Sequence, residues 1–188
     1  MVSLTLDDGS ITYDMYGIKN AIVSHFSNLL GQDPSPYWGR DSLTTFVTKR
    51  LQAHHKSDLD LEVSQEEVRF ALFSIHSNKS PGPTSFNAFF FKQVWHIIGA
   101  DFTAAIQYFF TSGYLLREVN NIAISLIPKV QNPSRVSDYR PISYCNTIYK
   151  CINKILANRL KNILPDLIDS SQPTFIKGRS IRDNILLA

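Results

Sequence analysis

Residues 126–143 read LIPKVQNPSRVSDYRPIS. An apolar run, from Ile122 onward, ends on Pro128 and Lys129. A polar loop follows, and the chain returns through Asp138, Tyr139, Arg140 and Pro141 before a long helical pattern begins. The stretch predicts a strand, a turn and a second strand, with a lysine and an arginine flanking the turn. Between Lys129 and Lys161 the basic residues are Lys129, Arg135, Arg140, Lys150, Lys154, Arg159 and Lys161, against one acid, Asp138. Such a run suits a polyanion, either a nucleic-acid backbone or a triphosphate, and it equally suits a solvated helix face.

The helix that follows is expected from about Asn146 to Leu164, closed by Pro165. Lys150, Lys154 and Lys161 fall on one face of its wheel, and Ile148, Ile152, Ile155, Leu156 and Ile163 on the other. Arg159 projects from the apolar stripe. Either its head snorkels out, or it is paired, with Asp138 or Asp166 as partner.

The rest of the chain supports an α+β, helix-dominated class with a small antiparallel sheet. VSLTLDDGSITY alternates around Asp8-Gly9 and predicts a hairpin. Ile18, Ile22, Phe26 and Leu29 form one face of a helix ending at Gly31. Residues 41–62 are weakly patterned and read as a helix plus a connector. Ser64 and Glu67 have capping-box spacing ahead of Val68, Ala71, Leu72 and Ile75. NKSPGPTS breaks that helix. A second helix is expected through FNAFFFKQVWHII, and a third from about Asp101 to Gly113 after an interruption at Gly99.

With 188 residues, 44% hydrophobic and 19% charged, the chain can bury a core, and its net charge of +3 is only mildly basic. Cys145 and Cys151 are both placed in the long helix and form no CxxC pair, which favours a reducing compartment. No secretory leader and no membrane-length apolar run are read. The expected location is intracellular, nuclear or cytoplasmic, without membrane contact. Asp7-Asp8 could contribute to a two-metal site, but Asp-Gly is a favoured turn and no third carboxylate follows nearby. His54 and His55 are expected to point apart at the surface. No GxSxG, HExxH or GxxxxGK[ST] motif occurs.

Three segments in series, NKSPGPTSFNAFFFKQVW (78–95), LIPKVQNPSRVSDYRPISYCNTIYKCINKILANRLK (126–161) and QPTFIKGRSIRDNILLA (172–188), resemble the front half of a reverse transcriptase of the plant LINE-type, non-LTR retrotransposon family. The resemblance runs from about Leu61 to Ala188. It implies a division into 1–60, a segment preceding the polymerase domain, and 61–188, an N-terminal loop with the fingers subdomain and most of the palm missing. It implies that Lys129 and Arg140 reach the dNTP triphosphate from arms stiffened by Pro128 and Pro141. Lys79, Gly82, Lys150, Lys154, Lys161, Gly178 and Arg179 would lie against template or other nucleic acid, with Arg159 and Phe175 structural. RNA template, DNA primer and dNTP are the implied partners.

The chain departs from the family where Thr84-Ser85 replace the usual Asp-Gly after SPGP. It also has Pro173-Thr174-Phe175 for Ser-Ala-Phe, and Lys177 where proline is common. The family's catalytic aspartates fall beyond Ala188, so no catalytic residue, metal ligand or cofactor is expected in this sequence. Mg²⁺ belongs to the complete enzyme. The expected function is a truncated RNA-directed DNA polymerase fragment, inactive alone; the alternatives are a non-catalytic RNA-binding module and a helical interaction protein.

Overall fold

The computed structural model describes residues 3–6, 8–31 and 49–168. The elements are β1 (Leu4–Thr5), β2 (Ile11–Thr12), α1 (Met15–Leu30), α2 (Ala53–Asp60), α3 (Gln65–Ser74), α4 (Ala88–Gln93), α5 (Trp95–Ser112), α6 (Arg117–Asn120), β3 (Ile122–Pro128), a 3₁₀ turn (Val136–Asp138), β4 (Tyr139–Cys145) and α7 (Thr147–Leu167). The class is α+β and helix-dominated, with two small antiparallel sheets, as expected. The chain divides into two compact units, each discontinuous in sequence. Of the described residues, one draws on 3–6, 8–31 and 124–143, the other on 49–123 and 144–168.

In the first unit, β1 and β2 pair antiparallel, with Leu4 opposite Thr12 and Thr5 opposite Ile11. The Asp8 carboxylate accepts from the Ser10 N–H at 2.9 Å and the Ser10 hydroxyl at 2.6 Å, which pins the turn. Those bonds hold the Asp8 carboxyl below its ordinary pKa. Asp8 is therefore a turn-former; its neighbour Asp7 lies outside the described residues. The Asp14 side chain accepts from the Gly17 N–H and starts α1. Leu4, Ile18, Phe26 and Val136 are buried together, with Ile22 and Leu126 packed against them. Leu29, expected on that buried face, is 63% exposed.

The second unit is a helical core of Val63, Val68, Ala71, Leu72, Phe102, Ile106, Cys151, Ile152 and Ile155. Each fully buried large side chain there contributes on the order of 1.5–3 kcal/mol. Ser64 Oγ accepts from the Glu67 N–H at 3.1 Å and opens α3 where the sequence placed its start.

Several expectations need correction in this unit. The break between α4 and α5 falls at Val94, and α5 runs straight through Gly99. A Cβ at Gly99 would sit 2.9 Å from the Trp95 ring, so the glycine makes room for the indole one turn earlier and does not interrupt the helix. Pro165 lies inside α7 and does not close it. A proline removes a single N–H, and the ladder resumes at once, the Ile168 N–H donating to Leu164 O at 2.9 Å. Lys49 Nζ holds the Ile168 carbonyl at 3.3 Å, tying down that end. Cys145 ends β4, so only Cys151 is helical. His55 is 5% exposed, not a surface residue. One of its ring nitrogens bonds Asp166 at 3.1 Å and the other accepts from the Gln52 N–H at 3.2 Å. Residues 41–48 lie outside the described part, and the helix expected in 41–62 is α2.

Candidate nucleic-acid and nucleotide interface

The opening stretch forms a β-ribbon. β3 and β4 pair, and the Lys129 N–H donates across the turn to Asp138 O at 2.7 Å. Asp138 shapes the loop between them. Its carboxylate accepts from the backbone N–H groups of Ser134 at 3.0 Å and Arg135 at 2.9 Å. These bonds, Arg135 first, hold its carboxyl below the usual range, with the Arg135 and Lys129 charges adding to them. Asp138 is thus used locally and is not the partner of Arg159. The Thr5 N–H donates to Ser134 O at 2.7 Å, so β1 lies along the loop and braces it.

Lys129 and Arg140 sit at one end of the ribbon, because Lys129 faces Asp138 and Arg140 follows two residues later. Both are exposed. The Lys129 ammonium donates to Ser137 O at 2.7 Å, whereas Arg140 enters no ion pair among the described residues. Pro128 ends β3 and Pro141 lies within β4. An ammonium and a guanidinium at one ribbon end can hold an anion, with the arginine fork the more directional of the two.

The second group lies in the helical unit, where the NKSPGPTS loop covers the first turn of α7. Gly82 is obligatory there, since a Cβ would stand 2.5 Å from both Asn146 N and the Cys145 carbonyl carbon. Asn146, 3% exposed, is the hub. Its Oδ1 accepts from the Thr84 N–H at 3.1 Å and the Thr84 hydroxyl at 3.0 Å. Its Nδ2 donates to the carbonyls of Glu118 and Val119 at 3.1 Å and of Asn121 at 3.3 Å. The Thr147 hydroxyl donates to Phe86 O at 2.8 Å. Ser85, where the family resemblance has glycine, takes the left-handed backbone, φ 63°.

Lys150 donates to the Ser80 carbonyl, so one of the three lysines of the basic face anchors the loop. Burial lowers its pKa, with Lys79 adding to that effect and Cys145 opposing it. Lys79 is exposed beside it, Lys154 is half-buried and Lys161 is exposed. Gly178, Arg179 and Phe175 lie outside the described residues.

Arg159 is paired, and its partner is Glu67, not Asp138 or Asp166. Nε donates to Oε1 at 2.9 Å, Nη2 to Oε2 at 2.7 Å and Nη1 to Leu59 O at 2.8 Å. The guanidinium also lies over the Phe110 ring at 5.5 Å. Its bonds to Glu67 raise its pKa further. The glutamate that a capping box would turn back to Ser64 is drawn to this arginine instead. Asn146 and Glu67 were the residues that sequence reasoning missed as site-builders. A signal existed for the first, an asparagine at a strand-to-helix junction, where such residues hold backbone groups.

Comparison with known proteins bears on the ribbon and α7 together. Residues 127–187 match the family model for reverse transcriptase (RNA-dependent DNA polymerase). The reverse-transcriptase match takes in Lys129, Arg140 and all of α7, while Lys79 and Gly82 precede it. Over 190 residues the chain is 30% identical to "Transposon TX1 uncharacterized 149 kDa protein" of Xenopus laevis, an alignment covering 98% of this chain. The chain spans 14% of the length of that protein. Among the described residues no three His, Cys, Asp or Glu side chains come together to hold a metal ion. No helix among them is long and apolar enough to cross a membrane.

Proposed function

We propose that this chain is the template- and nucleotide-gripping portion of a LINE-type, non-LTR retroelement reverse transcriptase, its β3–β4 ribbon serving as fingers. The observation that carries this reading is that the reverse-transcriptase match takes in the end of β3, Lys129, Arg140 with the rest of β4, and the basic helix after it. Phosphoryl transfer accumulates charge on phosphate oxygens, and a lysine and an arginine at one ribbon end are suited to stabilise it. The Lys129 ammonium would exchange the Ser137 carbonyl for a phosphate oxygen, a stronger acceptor. RNA template and DNA primer would lie along the NKSPGPTS loop and α7, where Lys79, Lys154 and Lys161 supply charge. Carboxylates holding Mg²⁺ would come from sequence beyond the described residues. Their chemistry is activation of the primer hydroxyl.

The test joins this chain to a matching downstream palm. In that enzyme Lys129→Ala or Arg140→Ala should each lower kcat/KM for dNTP by roughly 5- to 150-fold, equivalent to about 1–3 kcal/mol. RNA affinity should change little. Unaltered nucleotide use in both variants would overturn the assignment.

A further inference from the structure

A second surface of the helical unit carries aromatic rings that its core does not use. α3 buries Val68, Ala71 and Leu72, yet leaves Phe70 68% and Phe73 42% exposed. On α4, Phe89 is 53% exposed. These rings are interleaved with cations. Arg69 Cζ stands 5.0 Å from the Phe73 ring centroid and Lys92 Nζ 5.9 Å from the same centroid. Phe70 and Phe73 are one helical turn apart, as are Phe89 and Lys92. The sequence along the surface is therefore arginine, ring, lysine, flanked by two further rings.

Lys92 and the Phe73 ring are held in place. Lys92 donates to Ile75 O and lies within 3.4 Å of Ser77 Oγ. Phe73 is fixed edge-on against Trp95, centroids 6.2 Å apart at 88°. Neither Arg69 nor Lys92 is in an ion pair among the described residues. Glu66, one turn before Arg69 and Phe70, adds a carboxylate to the N-terminal end of the same exposed face.

We propose that this α3–α4 face is a stacking surface for the unpaired bases of single-stranded nucleic acid. The proposal rests on the nucleic-acid reading above and adds a site outside the loop and the ribbon. Charge complementarity selects the occupant. An apolar protein surface laid over these rings would desolvate two cations and leave them without counter-charges, a costly arrangement. A single strand satisfies both kinds of group at once: its bases stack on Phe70, Phe89 and the Arg69 guanidinium, and its phosphates lie beside Arg69 and Lys92. A duplex, whose bases are already stacked, gains only the phosphate contacts.

The probe is a fluorescently labelled oligouridylate about 20 nucleotides long, compared with an RNA duplex of equal length, both titrated with the 188-residue chain. The variant Phe70→Leu/Phe89→Leu keeps apolar volume and removes the aromatic faces. It should bind the oligouridylate about tenfold or more weakly and melt like the parent, while duplex binding stays the same. Arg69→Gln should reduce the slope of log affinity against log salt by about 0.7. Equal oligouridylate affinity in the leucine variant and the parent would overturn the proposal and leave the reverse-transcriptase reading standing. So would burial of this face against an appended palm with RNA affinity untouched, which would make it a protein interface. A parent chain that binds no oligouridylate overturns the proposal as well. Failure of the reverse-transcriptase reading is read separately, from the Lys129 and Arg140 variants of the completed enzyme.

Discussion

Arg159 brings a full charge into the helical core, its side chain 10% exposed, and the fold answers with two glutamate oxygens and one carbonyl. Removing either side of such a pair leaves the other uncompensated. Arg159→Ala or Glu67→Gln should lower unfolding free energy by about 2–4 kcal/mol, reduced from the fully buried case because Glu67 is 29% exposed. Urea denaturation monitored by tryptophan fluorescence would show it. A loss under 1 kcal/mol would mean that the pair is only decorative, as solvated ion pairs usually are. Cys151 tests the same interior differently. Burial raises its thiol from 9.0 to about 12, so above pH 9 the unfolded chain ionises while the native one does not. That stability is fully present below pH 9 and is lost as the pH rises towards 12. The melting temperature should fall in that window, and Cys151→Ala should flatten the fall. The arginine's anomaly was visible in the sequence because a charge broke an apolar stripe. Its partner was not, because Glu67 already had an apparent role at capping spacing and lies 92 residues away.

At the scale of elements, local chemistry predicted caps better than interruptions. Ser64 opened α3, and Gly31 and Gly113 stopped α1 and α5, because caps are short-range hydrogen bonds between near neighbours. Breaks were misread at Gly99 and Pro165 because their meaning depends on what packs there, a tryptophan ring in one case and a tethered helix end in the other. Gly99→Ala should therefore destabilise the chain despite alanine's better helix propensity, since the Trp95 ring would have to move. A higher melting temperature for this variant would contradict the packing account. The NKSPGPTS loop offers the opposite case. Ser85 holds φ 63°, a conformation that disfavours a Cβ. Ser85→Gly should stabilise by roughly 0.5–1 kcal/mol, the relief of backbone strain being partly offset by the glycine's greater freedom when unfolded. Thermal melts of the two chains side by side would decide it. The loop's attachment to Asn146 was not legible, because one buried amide joins segments up to 62 residues apart.

For the molecule as a whole, much apolar surface stays in water. On the ribbon alone Ile122, Ile124, Ile127 and Ile142 are each 43–45% exposed. A two-stranded sheet with such side chains is marginal by itself and prone to pair with others. The isolated chain should self-associate as its concentration rises, which sedimentation velocity would reveal. A monodisperse monomer with a sharp cooperative melt would count against this.

Each of the two units is assembled from stretches far apart in the chain, and this governs how the protein can be made. Val68 is bonded by Cys151, Glu67 by Arg159, and His55 by Asp166, which is 111 positions later. Leu4 and Phe26 share a core with Val136. As the polypeptide leaves the ribosome from its first residue onward, α3 to α5 can pack on one another, but the faces they turn to α7 stay bare until it follows. Synthesis at 5–20 residues per second makes that wait on the order of several seconds. Over this interval Leu72, Phe102 and Ile106 are open to chaperones and to neighbouring nascent chains, and slower decoding between residues 113 and 147 would lengthen it. Yield of soluble protein should then respond to codon choice in that stretch, although no amino acid has changed.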